Sequence, residues 1–576
     1  MTYFMASITK KTIRGRAYFY ARECRRVNGK PTIVWQKYLG RADDIIAALA
    51  PSRPTTKRPA RHREAVITEF AAVVALYDIA QQLQLSDHID RHVKKAGSGP
   101  SVGTYLLLAA INRCVAPCSK VRLARWFEGT ALRRFLDVRT EQLTSQRFWD
   151  HMARVSPQAI ELIERDLTRH LVRHFDLDLR RVLFDATNFF TFIDSFNARS
   201  TLAQRGKSKE GRAALRIVGL ALLVTADFHI PLLHQTYPGN QPDGPTFAGL
   251  TAELIERHRL IASQVKSVTL IFDKGNCSAD NLQAVANSPY HFISSLVPTY
   301  HPELLKIPMR RFDSLEADGL PGVKAYRTTK EIFGIERTVV VTYNEALFVA
   351  QSRTLLREIA QRQHQLDELR ARLLRHQKGE VRGGKRPTTT GVKKTIDRYL
   401  KARHMKELFE IHLSEQEGLP VLRYQFRAAA WRELQRTLLG KTILFTDQAS
   451  WSDAEIVRGY RGQHQAEAAF RCLKSPHHLS LRPQHHWTDQ KIRVHVFYCV
   501  LALLLCSVLR RHLHRQGIDR SIPALLEDLG QIREVGILTP GRSEGELPQL
   551  EITLSRLTKE QRRLYDALDL KRYAAP

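Results

Sequence analysis

The sequence predicts an α/β protein: a mixed sheet flanked by helices and interrupted by an inserted subdomain, preceded by a small β-hairpin unit and a helical domain. Three observations predict it. Between residues 180 and 296, short apolar runs follow one another in the order β-β-β-α-β, after a long stretch with the 3.6-residue period of helices. Two of those runs end in an aspartate, Arg181-Val-Leu-Phe-Asp185 and Val268-Thr-Leu-Ile-Phe-Asp273. Farther on, Ser452-x-x-Glu455 is a capping box that opens a helix running to about Lys474.

Composition bounds the setting. At 576 residues, a prior of about 150 residues per domain gives three or four domains. A hydrophobic content of 43% with 26% charged residues is that of a chain able to bury a large core. Lys+Arg 89 against Asp+Glu 58 leaves a formal charge of +31, spread along the chain, which points to a surface that tracks phosphates and to nucleic acid as partner. A membrane-surface protein and a ribosome-associated factor are the bland alternatives. The start, Met1-Thr-Tyr-Phe-Met-Ala-Ser, has no long apolar region of the secretory kind. The most apolar stretch, Val496–Leu509, falls short of the roughly 18 residues that span a bilayer and reads as a core helix, so no membrane partner is expected. Seven cysteines are scattered, and Cys114-x3-Cys118 has no second pair at zinc-finger spacing; buried thiols in a reducing cytosol are the expectation.

In order along the chain, residues 1–50 form the hairpin unit. Ala17–Cys24 and Thr32–Leu39 flank Asn28-Gly29, a dipeptide suited to the positive φ of a two-residue turn. Its Arg, Lys and Tyr content fits a DNA contact as well as it fits a plain folded cap. Residues 51–65 are a basic, Pro-rich linker. Residues 66–178 read as helices, through Phe70–Leu76, Tyr105–Ile111 and Ile160–Leu167, either a DNA-end-binding domain or a purely structural bundle.

Residues 179–296 make the first part of the core. Strands at Val182–Phe184, Leu215–Val224 and His229–Gln235 precede a helix over 246–261, a parallel strand at Val268–Phe272 and another at Tyr290–Leu296. Sites in open sheets of this kind form at strand carboxyl ends, where Asp185 and Asp273 fall. Residues 297–440 interrupt the core with a subdomain whose long helix carries Leu355, Ile359, Leu366, Leu369 and Leu373 as a stripe, a possible short coiled coil. The core resumes over 441–515 with the strand Lys441–Thr446, and 516–576 read as a C-terminal helical region.

On the capped helix, Tyr460, Gln463, Glu467, Arg471 and Lys474 step by three and four residues and share one face. Such a face is more often simply solvated, and an aspartate after an apolar strand often only begins a turn. Both aspartates together, followed by an acid on a capped helix, are more specific. Three carboxylates can hold two Mg2+ ions about 3.5–4 Å apart for in-line phosphoryl transfer.

These residues carry a family resemblance. The helix Tyr460-Arg-Gly-Gln463-His-Gln-Ala-Glu467-Ala-Ala-Phe-Arg-Cys-Leu-Lys474 resembles the Tyr-x2-Arg-x3-Glu-x6-Lys helix of bacterial insertion-sequence DDE transposases, with Gln463 where that family usually has Arg. Val182-Leu-Phe-Asp185-Ala-Thr and Ile271-Phe-Asp273-Lys-Gly-Asn-Cys-Ser-Ala-Asp-Asn281 resemble its two aspartate blocks. Arg205–Arg212, Gly239–Asp243 and Arg482–Arg493 add shorter pieces, so the likeness covers about 180–510.

The resemblance implies an RNase H-like core in which Asp185, Asp273 and Glu467 bind two catalytic Mg2+ ions, with Mn2+ able to substitute. It also implies phosphate contacts from Tyr460, Lys474, Gln463, Arg471, Lys207 and Lys209. The long gap from Asp273 to Glu467 fits a family habit of inserting a subdomain before the last acid. The implied activity is cut-and-paste DNA transposition on double-stranded DNA, both the element's terminal inverted repeats and the target. The implied setting is a homodimer in a synaptic complex, in a bacterial cytoplasm and associated with the nucleoid. Trp431 and Trp451 are nearby aromatics for an extruded base, with ordinary packing the plainer role. An RNase H-like host nuclease without strand transfer and a catalytically decayed DNA-binding protein are the rivals.

Overall fold

A computed structural model describes residues 6–13, 16–27, 30–42, 45, 64–95, 97, 99–194, 196–211, 214–241, 243–259, 267–381, 383, 385–482, 484–539 and 549–575. The chain divides into two units, one of residues 1–65 with 537–551 and one of 66–536 with 552–576.

The first unit holds a three-stranded antiparallel sheet, β1 (Ala6–Ile13), β2 (Arg16–Val27) and β3 (Lys30–Gly40). The expected hairpin is β2–β3, and β1 is a strand the sequence reading missed. Its alternating Ile8-Thr9-Lys10-Lys11 pattern is too polar to announce a strand by hydrophobicity. The Asn28-Gly29 turn and the Pro-rich segment 51–63 lie outside the described residues.

The second unit opens with helices α1 (Ala71–Gln82), α2 (Leu85–His92), α3 (Val102–Val115), α4 (Lys120–Glu128), α5 (Ser145–Arg154) and α6 (Pro157–Phe175). Their starts are written locally. Ser101, Thr144 and Ser156 each accept a hydrogen bond from the backbone N–H three residues on, and Pro157 occupies the first turn of α6. α3 is apolar nearly all round and is buried nearly all round.

A ten-stranded mixed sheet follows. Its principal strands are β4 (Arg181–Phe190), β5 (Arg216–Thr225), β6 (Pro231–Pro238), β7 (Val268–Ile271) and β8 (Tyr290–Leu296), with helix α7 (Asp243–Arg259) between β6 and β7. β4, β5 and β6 run antiparallel in sequence, then β7 lies parallel to β4 and β8 parallel to β7. This is the β-β-β-α-β order expected from the apolar runs.

The segment 297–440, expected as an inserted subdomain with a long helix, also supplies strands to the main sheet. Its β9 (Val323–Ile332) and β10 (Ile335–Asn344) extend the main sheet, because β10 pairs with the strand Lys441–Thr446, which pairs with β8. Val339, Val340 and Val341 are all buried, so β10 is covered on both faces like any inner strand.

What remains has its own core. It comprises α8 (Glu345–Gln377), α9 (Thr389–Tyr399), the hairpin β11 (Phe409–Gln416) and β12 (Leu419–Phe426), and α10 (Ala428–Thr437). Ile359, Leu366, Leu369 and Leu373 of α8 are buried there with Val392, Ile396 and Leu422. The apolar stripe read as a possible coiled coil is therefore spent within the subunit. Trp431 is half-buried against this cluster, and Trp451 is half-buried against the main core, which gives both a packing role.

After β13 (Lys441–Thr446), the capped helix is two segments, α11 (Asp453–Arg461) and α12 (Gln463–Leu473), broken at Gly462. The capping box at Ser452 and Glu455 forms in both directions. α13 (Asp489–Arg515) is long and apolar enough to cross a membrane, but 94% of its apolar window is buried inside the protein, where Cys114 on α3 donates to the Ala502 carbonyl at 3.5 Å. The C-terminal region contains helices at Ile522–Gly530 and Lys559–Ala567 and also strands at Arg533–Thr539 and Gln549–Leu554, so it is not purely helical.

Candidate active site

Strand register brings the first two acids together. Leu183 of β4 stands beside Ile271 of β7, and Ile271 stands beside Ile293 of β8. Those pairs form a rung; two residues on come Asp185 within β4, Asp273 just past the end of β7 and Ser295 within β8. Asp185 is not at a strand end, as the apolar run implied: β4 continues to Phe190, pairing with β5 throughout. β7 is the strand that stops, at Ile271, and this leaves room over the rung.

α11 and α12 lie across that opening. Gly459 permits the approach: a Cβ there would meet Ile293 Cδ1 at 2.8 Å and Ile271 Cδ1 at 3.8 Å. The turn after Gly459 carries Tyr460 to the rung, where its hydroxyl lies 2.6 Å from Ser295 Oγ and donates to Asp273 Oδ1 at 3.4 Å. Burial, with Asp273 and Glu467 close by, pushes the Tyr460 phenol up to about 12, so it stays a neutral donor. Asp273 also accepts from the Lys274 N–H at 2.7 Å.

Asp185 and Asp273 are half-buried, and Glu467 is exposed. Burial pushes the Asp185 carboxyl up to about 6; the Ala186 N–H and Lys209 pull it down, while Asp273 and Glu467 push it further up. The three acids therefore share one electrostatic field. An all-oxygen set with negative charge only partly offset is the chemistry Mg2+ takes. Among the described residues, no three His, Cys, Asp or Glu side chains are gathered tightly enough to hold a metal ion, so the field is shared without a preassembled ligand cage.

The other expected residues divide. Lys474 donates to Thr187 Oγ1, two residues past Asp185, at 2.7 Å, and lies 3.9 Å from Glu210. Burial lowers its pKa, with Glu210 and Asp185 opposing and Lys209 and Arg482 reinforcing. Lys209 donates to the Ala186 carbonyl at 2.8 Å, so its charge sits beside β4. Lys207 is exposed, and its carbonyl accepts from Asn188. Arg471 is exposed, and its charge bears on His229 and Cys472. Gly462 itself keeps helical dihedrals, and its N–H donates to the Arg458 carbonyl at 3.2 Å.

Gln463 lines a cavity of about 310 Å³ together with Asp273, Tyr460, Arg461 and Glu467. It is 7% exposed, and neither its Oε1 nor its Nε2 has a hydrogen-bond partner. Arg461 is the guanidinium that shares this cavity, while Arg458 donates to the Asp318 carbonyl.

Sequence reasoning missed Ser295, Thr187, Glu210 and Arg482. Arg482 pairs with Glu210 at 2.8 Å, stacks over Phe190 and donates to the Lys474 carbonyl, which ties the Lys474 turn to the loop after β4. For Ser295 a signal existed: two consecutive serines in the apolar run Tyr290–Leu296 are costly unless one is used. Ser294 donates to the Phe272 carbonyl at 2.9 Å, and Ser295 holds Tyr460.

No family model and no curated protein matches the chain. Among solved structures, the cryo-EM structure of a piggyBac transposase synaptic complex with hairpin DNA aligns with a TM-score of 0.33 and 9% identity, covering 81% of this chain and 82% of that one. A likeness that weak carries no argument about this chain.

Proposed function

We propose that the chain is a DNA transposase of the insertion-sequence DDE type, cutting DNA at element ends and joining the freed 3′-hydroxyl to target DNA. The observation that carries the reading is the closeness of Asp185, Asp273 and Glu467, three acids in one field beside the Tyr460 hydroxyl and Lys474. The strand order, three antiparallel strands followed by two parallel ones, supports an RNase H-like core. The charge of +31 supports DNA as substrate.

In this reading Asp185, Asp273 and Glu467 would hold two Mg2+ ions, with Mn2+ able to replace them, and the bound ions would supply Lewis-acid stabilisation to the attacking and leaving oxygens. The protein's own groups orient the strand. Tyr460, kept protonated, fixes the Asp273 carboxylate from one side while Ser295 fixes the phenol. Lys474 and Lys209 supply positive charge beside β4, where a scissile phosphate would lie. Arg461 takes the place of the guanidinium that Gln463 lacks. Two such subunits would pair the element ends in the bacterial nucleoid.

The test is cleavage and strand transfer with Mg2+ on duplexes carrying the element's terminal repeats. Asp185→Asn and Glu467→Gln should each abolish both steps while leaving DNA binding within a few-fold. Retained cleavage in either variant removes the site, and cleavage without any strand transfer by the unaltered protein makes it a nuclease instead.

A further inference from the structure

Just upstream of the strand that carries Asp185, helices α2 and α6 line a second cavity, of about 360 Å³, bordered by His88, Arg91, Asp166, Arg169, His170 and Arg173. Three arginines face one carboxylate, and that carboxylate is already engaged. Asp166 lies 2.7 Å from His92 Nε2, 3.2 Å from Arg165 Nε and 3.6 Å from Arg91 Nη1, which leaves Arg169 and Arg173 in excess over it. Burial works against its ionisation, but His92 and Arg165 more than offset this and hold it below the ordinary aspartate value. The cavity therefore keeps excess positive charge.

A second observation points the same way. His88 is 5% exposed and its Nε2 has no hydrogen-bond partner. Its Nδ1 faces Arg91 NH1 at 3.5 Å, and a guanidinium can only donate. The Nδ1 must then be the acceptor, which leaves the ring proton on Nε2 as a buried donor with nothing to receive it. An orphaned buried donor costs about 1–3 kcal/mol unless a partner arrives. His170 packs edge-on to His88 at 5.4 Å and lies 4.2 Å from His174, so the rings form one wall. A metal ion is the wrong occupant here, because the arginines repel it and no three ligating side chains are gathered among the described residues. Donors, guanidinia and excess positive charge together call for an anion with several acceptor oxygens.

We propose that the cavity between α2 and α6 binds a phosphate group. Its source is either the backbone of a nucleic acid or free phosphate. The inference does not depend on Asp185, Asp273 or Glu467 being catalytic.

The experiment uses the full chain, with inorganic phosphate followed by calorimetry and a labelled DNA duplex followed by anisotropy over a salt series. The variant R91Q/R173Q removes two exposed arginines of the cavity; K393Q/K394Q removes two exposed lysines of α9 and controls for general loss of charge. If the phosphate belongs to nucleic acid, R91Q/R173Q weakens duplex binding about tenfold more than the control does. Its log–log salt slope should then fall by roughly one to two. If the ligand is free phosphate, R91Q/R173Q loses inorganic phosphate and keeps duplex affinity equal to the control. If R91Q/R173Q matches K393Q/K394Q on both probes, the cavity is not a phosphate site and the proposal fails.

Discussion

Gln463 concentrates the residue-scale question. A buried amide with both polar atoms unpartnered is carried at a cost, and it stands beside Asp273, Tyr460 and Glu467. Replacing it by methionine, which is close in volume, should stabilise the free protein by about 1 kcal/mol in urea titrations and weaken strand cleavage by roughly tenfold. A variant that cleaves normally would make Gln463 a passive wall of the cavity. Asp185 belongs to the same account. Its carboxyl, pushed up to about 6 mainly by burial, is destabilising when ionised, so Asp185→Asn should raise the unfolding midpoint at pH 8 while abolishing cleavage. For this raised acid the gain is largest above pH 6, shrinks as pH falls toward 4, and vanishes below about pH 3, where the carboxyl is neutral in both folded and unfolded chains. An unchanged midpoint at pH 8 would mean that Asp185 is better solvated than its surroundings indicate.

At the scale of elements, the site depends on how closely α11 lies over β7 and β8. Gly459 sets that distance, since any Cβ there meets Ile293. Gly459→Val should cost about 1–3 kcal/mol in stability and reduce cleavage on the order of a hundredfold, because Tyr460 is carried away from Asp273. The capping box offers a contrast. Ser452→Ala removes a cap that holds the start of α11 and should cost about 1 kcal/mol with little change in cleavage per folded molecule. If the two variants lose activity in the same proportion to stability, helix placement is not what governs the chemistry. Much of this was legible beforehand: Ser452 and Glu455 announce the helix start, and Lys441–Thr446 announces a strand. The break at Gly462 was not, because glycine within a helical period signals a weak point without saying whether the helix bends there.

For the whole molecule, acid sensitivity follows from buried histidines. Burial holds His258 at about 4 and, with Gln465 opposing and Arg510 reinforcing, His229 also at about 4. Each is neutral when folded and would take up a proton near pH 6.5 when unfolded. Their contribution is therefore fully present above pH 6.5 and is lost as pH falls toward 4, by about 1.4 kcal/mol per unit for each. Urea midpoints should drop steadily from pH 7 to pH 5, and His258→Phe should show a shallower slope whatever its absolute stability. An identical slope would assign the acid sensitivity to other groups. Asp185 acts in the opposite sense over pH 6 to 4 and softens the decline.

From the sequence came what local chemistry can encode: the apolar runs of the sheet, their order, the capped helix, and the identity of the acids Asp185, Asp273 and Glu467. Periodicity is a property of neighbours along the chain, so it reads out elements and their faces. The tertiary structure decided which residues share a rung, that β9 and β10 belong to the main sheet, and that the stripe of α8 is buried within its own subunit. It also decided that Ser295 and Thr187 join the site. Those outcomes depend on strand register and on contacts across hundreds of residues, and a one-residue change of register moves a side chain to the opposite face without altering the pattern that predicts the strand.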